Sequence, residues 1–273
     1  MLKDIKISLE SAFDIPFHIE KVYSRGVPCV RIYPDNDEES LFYLDVFFKE
    51  NLRIIIEAYP QRFAAGTLAD ISSSNDGKRI IASLYASELL KKNAKVDFRI
   101  NDLPVTPNNY STWPLEWQNF NLRVTKMPVE VSGSIEENQN VIIKWSKPVI
   151  GIFLSLLYVE PVSEQFEEEG SKTNINVNRY ERSKINRELC LIANGYSCKI
   201  CGFNFESKYG LFGRGYIHVH HKIPVSKMDK SYMVNPITDL IPVCPNCHAM
   251  LHRNDPPIEP EVLIEIIRKN AKI

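Results

Sequence analysis

The sequence predicts an α+β protein in two parts, and three observations carry that reading. Apolar runs with strand and helix spacings fill the first 162 residues. The metal-binding side chains crowd into one later stretch. Of six histidines, five lie between His218 and His252, and of six cysteines, four form the pairs Cys198/Cys201 and Cys244/Cys247. Charge divides in the same way: residues 1–170 carry 18 Lys+Arg against 25 Asp+Glu, net −7, and residues 171–273 carry 15 against 9, net +6. A chain of 273 residues is long enough for one or two domains, each burying its own core. The expected division is an N-terminal α+β domain over residues 1–162, a linker over 163–178 and a small C-terminal domain over 179–273.

The elements follow in order. The start, Ser8 to Phe13, reads as irregular, with Pro16 and Pro28 as punctuation. Val27–Tyr33, Leu41–Phe48 and Leu52–Ala58 read as strands, the last two as a hairpin around Glu50-Asn51. Gln61–Ile71 reads as a short helix. Asn75 or Asp76 caps a longer one through Lys92, with Ile80, Ile81, Leu84, Tyr85, Leu89 and Leu90 at helical spacing. Val96–Ile100, Asn119–Lys126 and Val141–Trp145 read as strands, and Pro148 as the opening of a buried helix to Tyr158. Trp113, Trp117 and Phe120 sit among prolines. They read as packing for a loop, with stacking on a flipped base as the alternative. His18, Cys29 and Cys190 read as structural. The glutamate-rich and then Asn-rich run of the linker is too polar to build a core. Arg179–Asn194 reads as a basic helix stopped by Gly195, and Glu261–Lys269 as a closing helix.

Composition is that of a soluble globular protein, 44% hydrophobic and 25% charged. The longest apolar run, Val149–Val159, is too short to span a membrane, and no targeting segment is expected, so the expected location is cytoplasmic. There paired cysteines bind metal more often than they form disulfides. Two C-x-x-C turns supply the four thiolates of a tetrahedral zinc site: Cys198, Cys201, Cys244 and Cys247. The 42 residues between them hold an insertion, which carries His218, His220 and His221. His248 and His252 are four apart and share a face if helical. His220 and His221 lie in a strand-like run, where neighbours point to opposite faces. One can then bind a metal while the other reaches a water; a second zinc site or structural capping is the alternative.

The run His220-His221-Lys-Ile-Pro-Val-Ser226, then Thr238-Asp-Leu-Ile-Pro-Val-Cys-Pro-Asn-Cys-His248, then His252, resembles the HNH endonucleases with a zinc-stabilised ββα-metal fold. Gly195-Tyr-Ser-Cys-Lys-Ile-Cys-Gly-Phe-Asn-Phe205 and Tyr209-Gly-Leu-Phe-Gly-Arg-Gly-Tyr-Ile-His218 resemble the same module in bacterial restriction enzymes, including those that attack modified DNA. The resemblance covers about residues 179 to 253. It implies that His221 is the general base, and that His220, His248 and His252 hold the catalytic ion. Asp239 stands where the family commonly has Asn, which braces the loop or orients the base; the departure leaves Asp239 either to orient His221 by accepting its Nδ1–H or to approach the metal. Asn246 is the fallback for that place.

The expected cofactors are structural Zn²⁺ and catalytic Mg²⁺, with Mn²⁺, Ni²⁺ or Co²⁺ as substitutes because imidazoles are softer ligands than carboxylates. The expected partner is double-stranded DNA, with a homodimer if both strands are cut. Basic residues in the C-terminal part suit phosphate, and Arg214, Lys222 and Arg187 are the candidate contacts. The function expected is a restriction or defence endonuclease, with residues 1–162 reading the target. The alternatives are a non-catalytic zinc-finger DNA-binding protein, and a nuclease gated by a ligand or partner of the N-terminal domain.

Overall fold

The computed structural model describes residues 2–35, 42–49, 52–60, 68, 71–72, 74–129, 137–157, 177–222, 234–254 and 256–270, with only the backbone described over 177–183. It divides into two compact units, Met1–Ile185 and Asn186–Ile273. Of the expected linker, residues 163–176 lie outside the described residues, as does nearly all of the helix expected over Gln61–Ile71.

The first unit is a mixed helix–strand domain. Helix α1, Lys3–Phe13, buries Ile5, Leu9, Ala12 and Phe13 at the spacing of one helical face. Ser8–Phe13, expected as irregular, is its second half. Asp14 ends it at φ 61°, with its N–H donated to the Glu10 carbonyl. Strands β1 (Phe17–Ser24) and β2 (Val27–Pro34) pair antiparallel. Arg25 and Gly26 join them with φ of 50° and 76°, the two positive values a tight hairpin turn demands. β1 has no counterpart among the expected strands. β3 (Phe42–Lys49) and β4 (Arg53–Pro60) form the expected hairpin. With β5 (Lys95–Ile100), β6 (Leu103–Val105) and β7 (Phe120–Lys126) they complete a seven-stranded sheet in the order β1-β2-β3-β4-β7-β5-β6, every neighbouring pair antiparallel.

Helix α2, Asp76–Lys91, is capped by Asn75, whose side chain accepts from the Lys78 N–H at 3.1 Å. Helix α3 is Gln139–Leu157. This corrects the strand expected over Val141–Trp145, which forms the first turns of α3. Pro148 lies inside the helix rather than at its start. A short β-branched apolar run fits strand and buried helix alike, and only its length separates them. By length and composition α3 could cross a membrane, but 67% of its most apolar window is buried within the protein. Its Phe153 ring packs on Phe42 at 4.7 Å and Phe120 at 4.9 Å, the mark of a core helix lying on a sheet. Gly151 makes the helix pair α2/α3 close: a Cβ there would strike the Tyr85 ring. Trp113 and Trp117 are buried against Phe98 and each other, so the packing reading of this cluster holds and the rings offer no open stacking surface.

Helix α4, Val177–Asn194, leads into the second unit and stops at Gly195, φ 79°. After it come α5 (Phe205–Tyr209), β8 (His218–His221), β9 (Leu240–Val243), α6 (Pro245–Leu251) and α7 (Pro260–Asn270). β8 and β9 pair antiparallel, with His220 opposite Ile241 and His221 opposite Leu240. Strand, strand and helix enclose a small core of Leu191, Ile200, Ile217, Val243, Leu251 and Leu263, joined by Cys198, Cys244 and Cys247. So few apolar residues make a thin core, the situation in which a structural metal supplies folding energy.

Candidate metal centre

The first C-x-x-C pair sits in a turn closed by its own backbone. Cys198 donates its N–H to the Phe203 carbonyl at 2.9 Å, and Gly202 donates to the Cys198 carbonyl at 2.8 Å. Gly202 holds φ at 76°, a conformation cheap only for glycine. Lys199 donates its N–H to the Pro242 carbonyl on β9 at 3.0 Å. The second pair opens α6: the Cys244 sulfur caps the helix by accepting from the Cys247 N–H at 3.4 Å, with Pro245 in the first turn. All four sulfurs lie within 4.8 Å of one another, and Cys201 and Cys244 are 3.7 Å apart. A zinc–sulfur bond of ~2.3 Å makes the edge of a tetrahedron ~3.8 Å, so this donor set fits Zn²⁺. Burial pushes the Cys198 thiol up, but hydrogen bonds from the backbone N–H groups of Cys201, Cys244 and Ile200 outweigh it and favour the thiolate. Cys201 and Cys247 move the other way, through burial first and then the neighbouring sulfurs.

On the same β8–β9–α6 frame, one ligand nitrogen each from His220, His248 and His252 lie within 4.8 Å of one another. His220 is on β8, His248 is inside α6 and His252 is its C-cap residue. His220 Nδ1 and His252 Nε2 are 3.1 Å apart, close to the ~3 Å between adjacent nitrogens that each bind one ion at ~2.1 Å. His220 is 4% exposed. Burial, then the neighbouring His252, His248 and His221, push its pKa down to about 4. His248 is likewise lowered by burial, then by His252 and His218. Each shift keeps the imidazole neutral, the form that carries a lone pair for a metal.

His221, next on β8, stands outside this trio and is half-buried. Burial lowers its pKa, and the Asp239 charge opposes the shift. The Asp239 carboxylate braces its own loop: Oδ2 accepts from the Asn235 N–H at 2.8 Å, and Oδ1 accepts from the Thr238 hydroxyl at 2.9 Å. The Asp239 carbonyl accepts from the Lys222 N–H at 2.9 Å, tying the ends of β8 and β9. Asp239 is not a member of the three-histidine cluster, and Asn246 is exposed in the first turn of α6. Arg187 is half-buried and donates from Nη2 to the Ile217 carbonyl at 2.8 Å. Arg214 is exposed and paired with Glu206 at 2.8 Å. The motif residues Ile223–Ser226 lie outside the described residues.

Sequence reasoning gave His218 no role, yet its Nδ1 is 3.1 Å from His248 Nδ1. The signal was present: on a strand, residues 218 and 220 share a face.

Residues 198–254 match the model of the HNH endonuclease family. No curated protein and no solved structure matches the chain.

Proposed function

We propose, on the premise that residues 198–254 are an HNH endonuclease domain, that this protein is a metal-dependent endonuclease hydrolysing phosphodiester bonds of double-stranded DNA. The observation that carries the reading is the convergence of His220, His248 and His252 on one frame, with His221 beside them on β8 and the four sulfurs holding the same strands and helix.

In this reading His220, His248 and His252 hold the divalent ion. A divalent ion held there would supply charge to polarise the phosphate and stabilise the leaving oxygen. His221 takes the proton of the attacking water on its free ring nitrogen. Burial keeps it neutral and ready, and the nearby Asp239 charge favours the imidazolium once the proton arrives. Asp239 serves as the brace of the loop that feeds β9. Lys222 and Arg214 meet backbone phosphate, while Arg187 holds the segment entering β8. The softness of three imidazoles favours Mn²⁺, Ni²⁺ or Co²⁺ beside Mg²⁺. The N-terminal unit reads the target in a restriction or defence role, and a homodimer cuts both strands.

His221→Ala tests the chemistry: plasmid nicking should fall ~10²–10⁴-fold, the contribution of a general base, with duplex binding retained. Undiminished nicking removes His221 from the mechanism. Nicking by neither protein leaves a zinc-finger DNA-binding protein. Bare, methylated and hydroxymethylated plasmid digested in parallel show whether modification directs the cut.

A further inference from the structure

Four imidazoles meet between β8 and α6, and the fourth has a geometry of its own. His218 Nδ1 and His248 Nδ1 lie 3.1 Å apart, with the rings nearly perpendicular at 89°. His218 is not in the group whose ligand atoms lie within 4.8 Å of one another. It touches that group through His248.

We propose that His218 is a positioning residue: its Nδ1 accepts the hydrogen bond donated by His248 Nδ1–H, and this leaves the Nε2 lone pair of His248 for an ion. The inference rests on the reading of His220, His248 and His252 as ligands. The argument runs through one hydrogen. His218 stands outside the group that can share one ion, so, unlike His220 Nδ1 and His252 Nε2, its Nδ1 and that of His248 meet as a hydrogen bond with a single proton between them. A neutral histidine has one N–H and one lone pair. If the proton belonged to His218 Nδ1, His248 would accept at Nδ1 and keep its hydrogen on Nε2, with no lone pair left for a metal. With the proton on His248 Nδ1, Nε2 is free. Only the second tautomer is compatible with a ligand role for His248, and it makes His218 the acceptor.

His218 is well held for that task. Its backbone is opposite Val243 in the β8–β9 ladder, and its ring meets the edge of Tyr216 at 6.0 Å. His248 in turn stands on α6, whose first turn is fixed by the Cys244 cap. Ligand histidines characteristically donate their second nitrogen to an acceptor that fixes ring orientation and tautomer, and loss of the acceptor weakens metal binding about 10–100-fold.

The test is a Co²⁺ titration of the full chain, with its four-cysteine site filled by zinc, read from the ligand-field absorbance of the bound Co²⁺. Wild type should bind one Co²⁺ at the histidines, and His220→Ala should lose it. Absence of any His220-dependent Co²⁺ site overturns the ligand reading itself, and the inference with it. Given that site, His218→Ala should raise the Kd ~10–100-fold while leaving the spectrum at saturation unchanged, because the three ligands remain. His218→Asn, whose Oδ1 falls where Nδ1 was, should recover most of the affinity. An unchanged Kd in His218→Ala overturns the proposal. So does an altered saturated spectrum, which would make His218 a ligand, or an Asn variant as weak as Ala.

Discussion

Asp45 lies fully buried in the sheet of the N-terminal unit, and it is held by three donors. Arg31 gives it Nε at 2.7 Å and Nη2 at 2.8 Å, and the Tyr59 hydroxyl gives a third bond at 2.7 Å. Burial alone would raise its pKa, but the bonds from Arg31 and Tyr59 outweigh burial and hold it below the usual carboxylate range. A folded pKa below the unfolded ~3.9 means that the ionised form stabilises the fold. That stability is present above the unfolded value and is lost as pH falls through the folded one. Denaturant midpoints of this unit should therefore drop below pH ~4. Asp45→Asn should cost ~1–3 kcal/mol at neutral pH by leaving the half-buried Arg31 without its carboxylate, and should flatten the acid limb. A midpoint unchanged by Asp45→Asn would show that the network contributes nothing. At this scale the sequence revealed what spacing encodes. The four cysteines announce themselves by C-x-x-C, and His248/His252 by a helical interval. The brace made by Asp239 was less legible, because its partners are a backbone N–H and a hydroxyl rather than another motif residue. His218 was missed, although strand parity, two residues before His220, carried the signal.

Among the elements, strands with clean alternation were readable, and β3, β4 and the capped helix α2 formed within a residue or two of expectation. Two were not. β1 mixes charged residues with apolar ones at an edge of the sheet, where one neighbour and partial exposure weaken the pattern. The start of α3 is rich in β-branched residues, and only tertiary packing turns it to helix. That packing hinges on Gly151, where the Tyr85 ring occupies the space of a Cβ. Gly151→Ala should destabilise the N-terminal unit by ~1–3 kcal/mol, despite the better helix propensity of alanine, and Tyr85→Phe should not relieve the clash. A thermal melt in which Gly151→Ala matches or exceeds the wild type would contradict the close α2/α3 crossing.

The whole molecule is two units with different sources of stability. Among the described residues, the first rests on a sheet, helices packed on it and a large apolar core; the second has fewer core residues and four convergent sulfurs. Chelation of zinc under reducing conditions should thus abolish the folded transition of the second unit and leave that of the first in place. Metal analysis should find one zinc per chain, and a second unit that stays folded without zinc would contradict this division of labour. The charge split in the sequence falls with the metal motif, the basic half being the one that holds the clustered cysteines and histidines, but it gives no hint of a role for the N-terminal sheet, whose residues carry no motif of fixed spacing. The central claim is that three histidines hold the ion that drives cleavage. Its most direct measurement is conversion of supercoiled plasmid by zinc-loaded protein, with no added ion and with Mg²⁺, Mn²⁺, Ni²⁺ or Co²⁺, beside His248→Ala. The account predicts no cleavage without an added ion, cleavage with at least one of the softer ions, and loss of it in His248→Ala. Cleavage that persists in excess chelator, or runs undiminished in His248→Ala, would contradict it.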